Sequence, residues 1–167
     1  MDLYKFCEWV EQTPIAAYMR YSPSLYAITE TVHTLGIILV AGTIMVVDLR
    51  LLGKGLRSVS ITELVSRIVP WTLAGFGLMF VTGAWLWASE ARRLYHSPVF
   101  ETKLVLLALA GLNALVFHLT IYRSVGQWNE DHVAPARARL AGAVSLLLWI
   151  AIIVAGRSIA YGPGYES

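Results

Sequence analysis

The sequence predicts an all-α integral membrane protein: a four-helix up-down bundle preceded by a short interfacial N-terminal helix. The chain of 167 residues is 57% hydrophobic and only 14% charged, whereas soluble domains carry roughly 25% charged residues. Asp, Glu, Lys and Arg are absent from four long runs, at 31–47, 68–89, 104–122 and 140–156. A bilayer core of about 30 Å needs about 17 to 25 apolar residues of helix. Each run is therefore long enough to cross a membrane.

The whole chain, 1–167, is interpreted as one transmembrane domain with an interfacial helix over about 2–13. Apolar residues at helical spacing there share one face, as in helices that lie along a membrane surface. Proline and glycine mark the limits of span 1, and Ser60 with Glu63 forms a capping-box pattern before span 2. Pro70 is expected to bend or divide that helix. The predicted spans cover about 25–52, 61–94, 98–124 and 135–161.

Short connections predict antiparallel neighbours. Both termini and the 94–97 loop then lie on one side of the membrane, side A, and the 53–60 and 125–135 loops lie on the other, side B. Basic residues are nearly balanced between the sides. The densest cluster, from Arg50 to Arg67, favours side B in the cytoplasm under the positive-inside rule. This predicts a multi-pass membrane protein with both termini on the side opposite the cytoplasm.

Ionisable side chains inside a span are the first candidates for function. Measured from the midpoints of the charge-free runs, His33 lies about 9 Å from the midplane toward side A, and Glu30 about 13 Å. Arg157 enters from span 4 at about the depth of Glu30. A structural ion pair between Glu30 and Arg157 is predicted, and Arg157 is also a candidate for binding haem propionates.

His118 lies about 7 Å from the midplane toward side B, so about 16 Å separates it from His33 along the membrane normal. Histidine between apolar helices is a usual ligand of b-type haem, and either residue is a candidate ligand of haem or a metal ion. The depth difference predicts two haems, one above the other, if both residues bind. Met45, in the same leaflet as His118, is the candidate second ligand there. Gly111 and Ala114 are expected to wall the slot at His118.

The composition excludes several classes of protein. A net charge of +2 with dispersed basic residues gives no reason to expect a nucleic-acid partner, and one cysteine, Cys7, allows no internal disulfide. No nucleophile elbow, phosphate loop or zinc-protease motif is present. His96 and His132 are interpreted as surface histidines of loops.

The blocks ETVHTLG…VVDLRLLG, PWTLAGFGLMFVTG, GLNALVFH and LAGAVSLLLWIAIIVAGR together resemble a family of small four-span bacterial inner-membrane proteins, a domain of unknown function. The similarity covers nearly the whole chain after residue 8. It implies a prokaryotic membrane protein and assigns no chemistry, so no site residue is transferred. The architecture is also similar to that of four-helix membrane b-type cytochromes.

The leading functional hypothesis is a b-type cytochrome-like protein that transfers electrons through one or two haems b in the bundle. An enzymatic role would then be that of an oxidoreductase component. The expected partners are membrane lipid, a quinone or a periplasmic redox protein, and a second copy of the chain in a homodimer. Two alternatives stay open: a carrier of protons or a transition metal that uses Glu30, His33, Asn113 and His118, and a non-catalytic membrane subunit of a larger complex.

Overall fold

The computed structural model describes residues 2–129 and 133–161, and the backbone in these ranges is helical with no β-strand. Four helical segments are long and apolar enough to cross a membrane: Pro23–Leu51, Ile61–Ser89, Pro98–Gln127 and Ala136–Tyr161. The predicted fold class is confirmed, and the protein is a multi-pass membrane protein.

Two short helices precede the first span, and only the first of them is predicted from the sequence. Helix α1 covers Leu3–Glu11 and helix α2 covers Pro14–Tyr21. Pro14 occupies the first position of α2, where its missing N–H would have had no partner within the helix. Pro14 suggests the end of a helix when the sequence is considered alone, but in the structure it is the first residue of α2.

Helix α3 covers Pro23–Leu51 and ends in a Schellman motif. The N–H of Gly53 donates to the carbonyl of Arg50 (3.1 Å), and that of Lys54 to the carbonyl of Leu49 (2.9 Å). Gly53 has a φ of 69°, which glycine adopts without the steric cost of a side chain. The backbone thus turns into the side-B loop at the glycine expected to end the span.

Helix α4 covers Ile61–Ser89, and its start matches the predicted cap. The Ser60 hydroxyl accepts a hydrogen bond from the N–H of Glu63 at 3.3 Å. Pro70 lies inside α4 and does not divide it. The helix ends five residues before the predicted limit of 94, and a separate short helix, α5, covers Ala91–Tyr95.

The third span changes its hydrogen-bonding pattern along its length. Helix α6 covers Pro98–Val116 and continues as a π-helical turn over Phe117–Ile121 and a 3-10 turn over Tyr122–Gln127. Helix α7 covers Ala136–Ser158 and ends in a 3-10 turn over Ile159–Tyr161. The π-helical turn lies on the side-B half of the span and contains His118.

The four spans do not form a closed ring. Helix α3 packs along both α4 and α7, and α7 packs along α6, but α4 and α6 have no extended contact within the described ranges. Glycines bring α3 and α4 close together: a Cβ at Gly36 would lie 2.9 Å from Met79 Cγ, and one at Gly75 only 2.7 Å from Val40 Cγ2. Small residues of this kind let membrane helices approach.

A cluster of ion pairs links α1 and α2 to α5 at side A. Glu11 is 7% exposed and accepts hydrogen bonds from Arg20 Nη1 (2.5 Å), from Arg92 Nη2 (3.1 Å) and from the backbone N–H of Arg92 (2.9 Å). Burial raises the pKa of the Glu11 carboxyl. The hydrogen bonds and charge of Arg92, together with the charge of Arg20, outweigh that effect and hold the pKa below its ordinary value.

We expect the attachment of α1 and α2 to weaken in acid. Because the pKa of Glu11 is lower in the folded protein than the ordinary value of about 4.3, its contribution to stability is complete above that value. The contribution is lost as the pH falls through the folded-state pKa. Thermal unfolding from pH 7 to pH 3 should show this loss in the wild type, and Glu11→Gln should be less stable at pH 7 with a flatter acid dependence.

Glu63→Gln is the matched control, because Glu63 pairs with Arg67 on an exposed surface of α4, where such pairs contribute little. An acid profile of Glu11→Gln that equals the wild-type profile would show that Glu11 does not carry the attachment.

Candidate functional site

A groove of about 360 Å³ runs between the four spans in the side-B half of the bundle. Its volume lies in the range of roughly 300 to 1,000 Å³ that is typical of ligand pockets. Most of its lining is aliphatic or aromatic. The polar or titratable side chains on its walls are Thr43, Asp48, Thr72, Asn113, His118 and Ser145.

Asp48 is the most unusual member of the groove. It is 5% exposed, and its carboxyl lies near Ser145 of α7. One carboxyl oxygen, Oδ2, is buried and has no hydrogen-bond partner in the described part of the chain. Gly142 lets α7 pack on the α3 backbone here, since a Cβ at Gly142 would lie 3.3 Å from the Asp48 carbonyl oxygen. A buried acceptor without a donor is costly, so a hydrogen-bond donor that reached Oδ2 would relieve this cost.

His118 lines the groove from the third span. It lies in the π-helical turn, and π-turns in α-helices frequently occur at functional sites. Its ring contacts the rings of Phe117 and Tyr122, with centroids 5.5 and 5.4 Å away. Gly111 and Ala114 line the same groove, and a Cβ at Gly111 would meet no atom within 4 Å. The α6 wall therefore has open space beside the histidine.

The groove is open toward the bilayer between α4 and α6. Val69, Leu73 and Phe76 line it from α4 and are 39%, 64% and 41% exposed, and α4 makes no extended contact with α6 within the described ranges. Near the centre of the bundle, the ring of Phe76 meets the ring of Trp149, with centroids 6.0 Å apart. An apolar ligand can thus enter from the lipid without crossing the protein.

His33 lies in the other half of the bundle and does not line the groove. Its Nδ1 is 2.9 Å from the hydroxyl of Thr82, and its Cε1 lies 3.0 Å from where a Cβ would stand on Gly83. The imidazole of α3 thus packs against the backbone of α4 at Gly83. The charge of Lys103 acts on His33 from α6, a proximity that the sequence alone does not reveal.

Two predicted contacts are not formed. Met45 is 47% exposed and is absent from the groove lining, so it is not placed as a second ligand beside His118. Ile44, Val47 and Asp48 occupy the inward face of that helical turn instead.

The predicted ion pair between Glu30 and Arg157 is also absent from the ion pairs of the described residues. Arg157 Nη2 is instead 3.0 Å from the hydroxyl of Tyr161, one turn further along the same span, and its guanidinium lies over that ring. A local partner on the same helix replaces the partner expected on the neighbouring one.

Of the remaining candidates, Asn113 lies at the groove, and its Nδ2 donates to the Ala141 carbonyl at 3.1 Å. His96 packs against the rings of Tyr4 and Tyr95. His132 lies outside the described residues. No group of three or more His, Cys, Asp or Glu side chains in the described ranges could together hold a metal ion.

Asp48 is the residue that reasoning from the sequence misses. In the sequence, Asp48 appears only as the charged residue that ends the first charge-free run. Its depth could nevertheless have identified it, because Asp48 lies about 13 Å from the midplane on the side of His118.

The comparisons with known proteins give a family and no chemistry. A model described as a family of unknown function, DUF6644, matches residues 6–162. Neither the curated proteins nor the solved structures include one that matches the chain.

Proposed function

We propose a function from the groove itself, because the chain belongs to DUF6644, a family of unknown function whose description assigns no reaction. The protein is an electron-transfer component of the bacterial inner membrane, with both termini in the periplasm, whose groove binds a lipid-soluble quinol. The observation that carries this proposal is the unpartnered Oδ2 of Asp48 in a groove open to lipid.

A quinol matches the groove in shape and polarity. It is a flat apolar ring with two hydroxyl donors at opposite ends, and its isoprenoid tail stays in the bilayer. Asp48 can accept a hydrogen bond from one hydroxyl, and His118 can bond the other from a different wall. The opening between α4 and α6 gives the tail a way out.

The residues also suit the chemistry of a quinol. Oxidation of one quinol to a quinone releases two protons and two electrons. Asp48 and His118 would accept the two protons within the groove, and a redox protein docked at side B, the side on which the groove lies, would be the class of partner that takes the two electrons. Catalysis by proton transfer requires such groups within hydrogen-bond reach of the proton.

Binding of a short-chain quinol to the purified protein tests this function. We expect saturable quenching of tryptophan fluorescence, because Trp149 lines the groove. His118→Ala should weaken binding about tenfold, which corresponds to about 1.4 kcal/mol, the size of one hydrogen bond. His33→Ala is the matched control and should bind like the wild type. Equal losses in both variants, or no saturable binding, would refute the assignment of the groove.

Haem b is a second candidate ligand of the same groove, favoured by the open space at Gly111 beside His118. His118 would hold the haem iron, and the bound haem would supply one-electron redox chemistry. The ring of His33, packed against the backbone of α4, gives no support to a second haem. A reduced-minus-oxidised spectrum separates the candidates: a haem signal lost in His118→Ala and kept in His33→Ala would favour haem over quinol.

A further inference from the structure

A second cavity, of about 430 Å³, lies between α6 and α7. We call it the α6–α7 cavity. Asn113 and Ala141 line both this cavity and the groove, so the two are neighbours. One end of the cavity is polar, with Thr120, Ser124 and Arg137, and the other is apolar, with Val116, Leu140 and Val144.

The polar end is suited to an anion. Arg137 has no ion pair or side-chain hydrogen bond to any residue of 2–129 or 133–161. Helix α7 begins at Ala136, next to this arginine, and its N-cap residue, Pro135, provides no capping side chain. The first N–H groups of the helix are therefore not capped by the N-cap side chain, and the positive end of the helix dipole adds to the potential beside Arg137.

The hydroxyl groups at the polar end of the cavity are not available as hydrogen-bond donors to an anion. Thr120 donates its hydroxyl hydrogen to the Val116 carbonyl (2.6 Å), and Ser124 donates to the Ile121 carbonyl (2.9 Å). Both oxygens are left as acceptors only. The arginine and the start of α7 are thus the groups that can bind an anion in this cavity.

The apolar end identifies the anion as part of an amphiphile. Arg137 lies about 16 Å from the midplane of span 4, at the edge of a hydrocarbon core of about 30 Å. From there the cavity descends along aliphatic side chains toward Asn113, near the middle of span 3. A free phosphate would occupy only the polar end, whereas a phospholipid would also cover the apolar wall.

We propose that the α6–α7 cavity binds one anionic phospholipid, with its phosphate at Arg137 and the start of α7 and an acyl chain along Val116, Leu140 and Val144. Basic pockets between membrane helices are suited to such head groups. This site does not depend on the function proposed for the groove.

Native mass spectrometry of the full chain, with equimolar phosphatidylglycerol and phosphatidylcholine of identical acyl chains, tests the proposal. We expect the wild type to retain one phosphatidylglycerol, several-fold in preference to phosphatidylcholine. Arg137→Gln should abolish the preference. The matched control is Arg139→Gln, because Arg139 is exposed two residues further along α7 and does not line the cavity; it should keep the preference.

Val144→Phe tests the apolar end while leaving Arg137 in place, and it should reduce retention of both lipids. Thermal unfolding of each variant checks that it is folded. The proposal is overturned if Arg139→Gln loses as much preference as Arg137→Gln, since a general surface charge would then explain the binding. It is also overturned if Arg137→Gln matches the wild type, or if millimolar inorganic phosphate displaces the lipid.

Discussion

Asp48→Leu should make the protein more stable and unable to bind quinol with normal affinity. Asp48 Oδ2 is buried without a donor, and burial of an unsatisfied polar group costs about 1–3 kcal/mol in proteins. Leucine has no polar atom and so removes that cost, its larger side chain can extend into the groove that Asp48 lines, and Ser145 can then bond a carbonyl of its own helix. We expect an increase of about 1–2 kcal/mol in unfolding free energy, which is the usual gain when a residue kept for function is replaced.

The same substitution should weaken quinol binding by about 10- to 100-fold. A hydrogen bond to a charged acceptor contributes about 1.5–3 kcal/mol, and each 1.4 kcal/mol is a factor of ten in affinity. Thermal unfolding in detergent and the fluorescence titration measure the two effects on one sample. Asp48→Asn is the control that keeps the shape and a polar group, and it should bind with intermediate affinity.

The two effects together distinguish a functional role from a structural one. If Asp48→Leu lowers stability by several kcal/mol, Asp48 holds α3 to α7 and its unpartnered oxygen is incidental. If stability rises and quinol affinity is unchanged, the groove does not recognise its ligand through this carboxyl.

Gly75→Val should cause a large loss of stability. A Cβ at Gly75 would lie 2.7 Å from Val40 Cγ2 and 3.3 Å from Leu39 Cγ. Val40 is fully buried and belongs to a small core cluster with Trp149 and Ile152, so it has little room to move. Overpacking of this kind costs about 1–3 kcal/mol, and separation of α3 from α4 would also disturb the groove.

Gly77→Val is the matched control, because a Cβ at Gly77 would meet no atom within 4 Å. Thermal unfolding of the two variants in the same detergent isolates the packing effect from the change in helix propensity. Equal destabilisation by both substitutions would mean that close approach at Gly75 is not what holds α3 and α4 together.

Much of the fold is predictable from the sequence because membrane helices leave local signals. Charge-free runs fix the number of spans, and the caps at Ser60 and Gly53 form as predicted. Helix α2 is missed because proline is ambiguous: it interrupts a helix in the middle but starts one at the first position. The gap between α4 and α6 is a property of packing, which no local signal reports.

The candidate site is predicted in part. The α6 wall can be derived from spacing alone, since Gly111, Ala114 and His118 share one helical face and all three line the groove. Depth alone cannot give the direction in which a side chain points, so Met45 lies at the depth expected for a ligand of the His118 site but does not line the groove. Equal depth predicts a contact between Glu30 and Arg157 that does not form, because Arg157 has a nearer partner in Tyr161.

The most direct test of the central claim is photolabelling of the membrane-embedded protein with a photoreactive quinone analogue, followed by peptide mapping. The account predicts saturable labelling of the α4 and α6 segments that border the groove, around Leu73 and His118. Excess unlabelled quinol should compete with it, and Asp48→Leu should reduce it strongly. Labelling confined to the outer surfaces of the bundle, or labelling that unlabelled quinol does not reduce, would contradict it.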